Sequence, residues 1–218
     1  MVFAPLGCLA AILLFLSIPL ILLLLFLNVL SFSFGELGLS ASAALGLILA
    51  MLVGSLMNIP LSRRRISYTV PSTMRGLFAP PPPQYSGIAV NVGGAIIPLC
   101  LSVYLATLVP SLWQVGVAAA VMALVSKVLA RVVPGRGIVL PVFVPPVLSA
   151  LLAIVLAPGF AAPCAYVAGT AGTLIGADLL NLHRLRGFPG VVSIGGAGVF
   201  DGIFLVGIVA VLLTALVQ

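Results

Sequence analysis

Runs of about twenty apolar residues without a charge recur along most of the chain, and they limit its fold more than any other feature. The hydrocarbon core of a bilayer is crossed by roughly 20 residues of helix. Segmenting at that length, with breaks at polar, Pro and Gly clusters, predicts seven spans near 8–32, 40–61, 87–109, 112–130, 138–157, 163–182 and 191–217. Only 6% of the residues are charged and 63% are hydrophobic. A soluble globular domain carries about 25% charged residues, so that class is excluded. The expected fold is all-α, a polytopic membrane protein of about seven transmembrane helices. No segment of soluble-domain length separates the spans, so residues 1–218 form a single transmembrane domain.

The charges give the orientation. Arg63, Arg64, Arg65 and Arg75 lie between spans two and three, Lys127, Arg131 and Arg136 around the junction of four and five, and Arg184 and Arg186 between six and seven. All fall on one side, which the positive-inside rule makes cytoplasmic. The N-terminus is then cytoplasmic and the C-terminus outside, and the localisation implied is the cell (plasma) membrane. The net charge of +6 therefore acts as a topology signal, and nucleic acid is not an expected partner. The cytoplasmic loop 62–86 is stiffened by Pro80 to Pro83, which favour an extended polyproline segment. The first span lacks a basic leader and is too long for a secretory signal, so it reads as a retained helix. Cys8, Cys100 and Cys164 are odd in number and lie in apolar runs, which fits packing residues and no disulfide framework.

A faint internal repeat runs through the chain. "LMNIPLSRRR" (56–65) ends span two much as "LLNLHRLR" (179–186) ends span six. "VNVGGA" (90–95) opens span three much as "VSIGGA" (192–197) opens span seven. Both pairs run in the same sense, so the repeat is parallel, and it sets Asp178 opposite Ser55 and Asp201 opposite Leu99. Span five carries Pro141, Pro145 and Pro146 in its first half, where missing backbone donors predict a kink or an unwound stretch lining a cavity. In span six, Ala168, Gly172 and Gly176 recur every four residues, a face along which another helix can approach closely.

Two of the three acidic residues, Asp178 and Asp201, lie inside predicted spans. A carboxylate at mid-membrane costs about 2.5 to 3.5 kcal/mol on insertion scales, so such residues are retained for function. Asp178 is about four residues from the cytoplasmic end of span six, roughly 6 Å deep. Asp201 is about ten residues into span seven. If Gly195, Gly196 and Gly198 keep the start of that span non-helical, the regular helix begins near Gly196 and the two acids are level. Two carboxyl groups sharing a low-dielectric site hold one proton between them, giving one base and one acid able to activate water against a carbonyl. Gly195, Gly196, Gly198 and Gly202, with Pro145 and Pro146, are candidate gate or substrate-binding residues. Asn91 and Asn181 are candidate supporting residues. No metal cluster, cofactor motif or Ser/His/Asp set competes, and His183 reads as interfacial.

Two acids on consecutive helices, one running in and the next out, resemble the presenilin and signal-peptide-peptidase group of intramembrane aspartyl proteases. In that group the first Asp follows a Tyr and the second ends a Gly-x-Gly-Asp motif. Here Ala177 stands in "GAD" (176–178) and Phe200 in "GVFD" (198–201), and Pro146, Val147 and Leu148 echo the group's Pro-Ala-Leu on an earlier helix. The resemblance covers about a quarter of the chain and implies cleavage of peptide bonds within the membrane by Asp178 and Asp201. The whole chain also resembles the uncharacterised prokaryotic membrane-protein family DUF1614 through "GADLLNL" and "GGAGVFDGIF", a family that implies no activity. The alternatives are a proton- or sodium-coupled transporter using the same acids, and a non-catalytic scaffold. The partners implied are the lipid bilayer and a membrane-embedded peptide or a small ion or solute.

Overall fold

Uninterrupted apolar stretches form helix, and strands appear where Pro, Gly and basic residues break them. The computed structural model describes residues 3–66, 84–133, 137–185, 190–196 and 202–217. Seven α-helices stand among the described residues: α1 (Phe3–Glu36), α2 (Ala41–Ser55), α3 (Ile97–Leu108), α4 (Leu112–Leu129), α5 (Val144–Leu156), α6 (Ala161–Thr173) and α7 (Gly202–Ala215). The fold is mostly helical. Three apolar helical stretches, Leu14–Glu36, Leu112–Leu129 and Pro158–Arg184, are long enough to cross a membrane. Ala41–Ser55, Val92–Leu108, Val144–Leu156 and Leu205–Ala215 are apolar and shorter.

The helix ends follow local chemistry. Ser40 caps α2, its Oγ accepting the Ala43 N–H at 3.3 Å, the usual use of serine at a helix start. Of the kink or unwound stretch expected in span five, the structure shows the second: Pro141 lies before α5, and Pro145 and Pro146 lie in the helix's first turn. There the missing N–H groups have no intrahelical partner to lose, so the prolines start the helix and do not bend it. The first six residues of the predicted span five, 138–143, are accordingly outside α5.

The all-α expectation is corrected by five strands: β1 (Asn58–Ile66), β2 (Gln84–Asn91), β3 (Arg131–Val133), β4 (Gly137–Val139) and β5 (Gly190–Ile194). They replace the predicted ends of spans two, three, five and seven. β1 pairs antiparallel with β2, β2 pairs parallel with β5, and β3 pairs antiparallel with β4. The order β1-β2-β5 puts β1 at an edge, where Pro60 removes no ladder bond the sheet needs, and the register slips between Pro60 and Ser62. The β3–β4 hairpin lies beside this sheet, since a Cβ on Gly137 would be 3.5 Å from Val192 Cγ1. Arg63, Arg64 and Arg65 on β1, Arg131 on β3 and Lys127 at the end of α4 therefore gather at the strand-bearing end. Pro80 to Pro83 lie outside the described residues.

Helix α6 is the hub, touching α3, α4, α5 and α7. Its sequence, AAPCAYVAGTAGT, is dominated by small residues, and nearly all of it is buried, because small side chains let several backbones close in at once. The α4 backbone rides over the glycine face: a Cβ on Gly172 would be 2.9 Å from the Ala119 carbonyl oxygen, and one on Gly176 would run into that of Ala123. The main core adds Leu30 and Phe34 of α1, Ile48 and Met51 of α2, and Val211 of α7. A second, smaller core of Ala95, Leu174, Ile194 and Ile203 lies under the sheet.

Candidate functional site

Asp178 closes a π-helical turn, Leu174–Asp178, inserted between α6 and a 3-10 segment, Leu179–Leu185. Such a turn widens the helix and is frequent at functional positions. Asn181 holds the turn open. Its Nδ2 donates to the carbonyls of Gly176 and Ala177 at 3.1 Å each and of Lys127 at 3.4 Å, so the widened turn is tied to the end of α4.

The carboxylate of Asp178 reaches across to the chain leaving β5. Oδ2 accepts the Gly195 N–H at 2.7 Å, a charge-assisted bond worth roughly 1.5–3 kcal/mol. Gly195 and Gly196 have φ of +79° and +75°, a left-handed turn that glycine adopts at no steric cost. This turn ends the strand. Strand β5 and its glycine turn make the described start of span seven non-helical, as expected, and the described part of α7 runs Gly202–Ala215. Asp201 and Gly198 lie outside the described residues, and so does the expectation that the two acids are level. Gly202 opens α7.

The two repeated motifs meet at this turn. A Cβ on Gly195 would be 2.6 Å from Ala95 Cβ, and one on Gly94 would run into the Gly195 carbonyl oxygen. Gly93 is pressed equally hard against the Met51 carbonyl of α2. Val92–Ile96 forms a second π-helical turn, so each copy of the repeat contains one. The parallel pairing of β2 with β5, Val90 beside Ile194 and Ala89 beside Ser193, matches the sense of the sequence repeat with a two-residue stagger.

A polar network binds the copies together. Asn91, fully buried, caps the second π turn, its Oδ1 accepting the Gly94 N–H at 2.7 Å. Its Nδ2 donates to the Ser55 carbonyl at 2.8 Å and to Asn58 Oδ1 at 3.2 Å. Ser193 Oγ donates to the same Asn58 oxygen at 2.6 Å. Ser55, which the repeat sets opposite Asp178, meets its own copy's motif through its backbone carbonyl and Asn91, whereas Asp178 reaches Gly195 with its side chain. Asn91→Leu leaves the Gly94 N–H and the Ser55 carbonyl buried without Asn91, at about 1–3 kcal/mol for each group. Thermal unfolding of the purified protein is expected to fall by several degrees.

Of the residues singled out in the sequence, Asp178, Asn181, Gly195 and Gly196 share this site, and Asn91 supports it through Gly94. Pro145 and Pro146 belong to the start of α5, which packs on α6 and α7. Asn58, Ser193, Gly93 and Gly94 were missed as site residues, although the repeat already marked their motifs.

The fold and site define a class: an apolar helical protein with membrane-length helices, in which one carboxylate closes a glycine seam between two repeated hairpins. Residues 52–213 match the family described as a protein of unknown function (DUF1614), and the chain belongs to that family. The match runs from α2 into α7 and takes in both copies of the repeat. No curated protein and no solved structure matches the chain.

Proposed function

We propose that the chain is a multi-pass protein of the plasma membrane, with the strand-bearing end cytoplasmic, that cuts peptide bonds of membrane-embedded substrates with Asp178 and Asp201. The orientation is supported by the basic residues gathered at that end, as the positive-inside rule requires. The observation that carries the chemistry is the 2.7 Å bond from Gly195 N to Asp178 Oδ2. It holds the first acid at the end of a strand whose chain continues, six residues on, to the second.

The mechanism follows from two acids sharing one proton. The carboxylate takes a proton from water, the resulting hydroxide adds to the carbonyl carbon, and the carboxylic acid protonates the carbonyl oxygen. Collapse of the tetrahedral intermediate returns that proton, breaks the C–N bond and hands a proton to the departing nitrogen. β5 is an edge strand of its sheet, and an extended substrate segment adding to that edge would lie alongside Asp178. The resemblance of "GAD" and "GVFD" to the presenilin group supports the same chemistry.

The test is cleavage of a synthetic transmembrane peptide by the full chain in liposomes. Cleavage is expected with the natural chain and lost in Asp201→Asn, with the variant still folded. Cleavage that survives Asp201→Asn rules the pair out. Sodium- or pH-dependent solute flux with no peptide cleavage moves the assignment to a coupled transporter.

A further inference from the structure

We propose that α1 joins two copies of this chain side by side in the membrane, along a stripe that contains Asn28. Leu14, Ile18, Ile21, Leu25, Asn28 and Phe32 recur at alternating steps of four and three residues, the seam spacing of a coiled coil. All six are exposed. The helix is anchored in the core by its other side: Leu30, Ser33, Phe34 and Leu37 are buried, and Phe26 and Leu27 pack against that core. None of these falls on the stripe. The fold therefore holds α1 from behind and leaves the stripe facing outward. Leu14–Glu36 is almost wholly uncovered by the rest of the chain, whereas Pro158–Arg184, of similar length, is mostly buried.

Lipid tails cover leucine as well as another helix does, so the apolar residues alone name no partner. Asn28 does. It lies three residues from the midpoint of Leu14–Glu36, roughly 5 Å along the axis, and so within a hydrocarbon core about 30 Å thick. Its Nδ2 donates to the Leu24 carbonyl at 2.9 Å. That bond uses one amide proton and leaves the other, with Oδ1, unpaired among the described residues. Hydrocarbon offers these groups nothing, and a polar group left unpaired there is costly.

A second copy supplies what they lack. Copies in one membrane share an orientation, so a twofold axis along the membrane normal sets two α1 helices parallel, with Asn28 level with Asn28. An amide is both donor and acceptor, so the pair is self-complementary: each Nδ2 donates to the other's Oδ1. A bond of this kind across helices fixes register as well as pairing, as a single asparagine does in a coiled-coil seam. A different partner would need its own amide at the same depth, whereas a second copy has it by symmetry. The inference rests on α1 spanning the bilayer and is independent of hydrolysis.

The experiment measures energy transfer between full chains carrying donor or acceptor fluorophores at the C-terminus, reconstituted in phosphatidylcholine vesicles over a range of protein-to-lipid ratios. Transfer above the level of random proximity, competed away by unlabelled chain, is expected. Asn28→Leu raises the dissociation constant about 5–30-fold. Leu25→Ala, on the stripe, also weakens pairing. Leu23→Ala leaves it unchanged, because Leu23 is exposed on the side of α1 that carries Leu30, seven residues on. All three side chains are exposed, so the variants keep the fold. Random-level transfer at every ratio, an Asn28→Leu variant that pairs like the natural chain, or equal weakening by Leu25→Ala and Leu23→Ala overturns the seam. A chain stripped from the vesicles by alkaline carbonate overturns the membrane placement and the seam with it, while a retained chain with random-level transfer overturns the seam alone.

Discussion

Asp178→Asn is expected to fold like the natural chain and to lose peptide cleavage, whereas Asp178→Ala loses stability as well. On the proposed function the carboxylate has two tasks, which these variants separate. Its Oδ2 accepts the Gly195 N–H at 2.7 Å, and an asparagine oxygen can accept the same bond. Asparagine cannot exchange a proton with water or a carbonyl, so general acid–base catalysis worth about 10²–10⁴ in rate is gone. Alanine also leaves the Gly195 N–H without this acceptor, at about 1–3 kcal/mol. In a chain of this size each kcal/mol moves the unfolding midpoint by about 2–4 °C. Thermal unfolding in detergent and cleavage of the synthetic peptide in liposomes, run on both variants, give the two readouts. An asparagine variant that cleaves at the natural rate leaves Asp178 with its structural task alone.

The second large effect is expected at Gly94. Its Cβ position coincides with the approach of the Gly195 carbonyl oxygen, so Gly94→Ala sets a methyl group against backbone that is itself held by Asp178. A flexible side chain could swing aside, but here two backbone turns must separate. Overpacking in a close-packed site costs about 1–3 kcal/mol and occasionally more, and the rigid partner puts Gly94 at the upper end. The midpoint is expected to drop by about 6–12 °C, with the Asp178 contact disturbed in the same step. Gly116→Ala is the control: nothing lies within 4 Å of its Cβ position, and it sits within α4, where alanine outranks glycine as a helix former by about 1 kcal/mol. It is expected to hold or raise the midpoint. Equal effects of the two substitutions would mean that the seam between the repeats carries no stability.

The strands are where sequence and structure part. Val191–Ile194 and Gly87–Val90 are apolar runs flanked by glycine, and short apolar runs fit a buried helix and a strand equally well by periodicity. The pairing that decides between them joins β2 to β5, about a hundred residues apart in the chain. A window of local sequence contains no trace of that partner. The same reason hid Asn58, whose importance comes from receiving both Asn91 and Ser193.

What the sequence determined by itself was the class of the molecule, the approximate helices, the close-approach face at Gly172 and Gly176, and the repeat. Each depends on composition or on spacing along one segment, and local periodicity carries that information. Tertiary structure alone decided that the repeated glycine motifs touch, that Asp178 bonds Gly195, and that span seven opens with a strand. Those outcomes depend on which backbones approach one another across the fold, and glycine seams encode such approach through the side chains they lack.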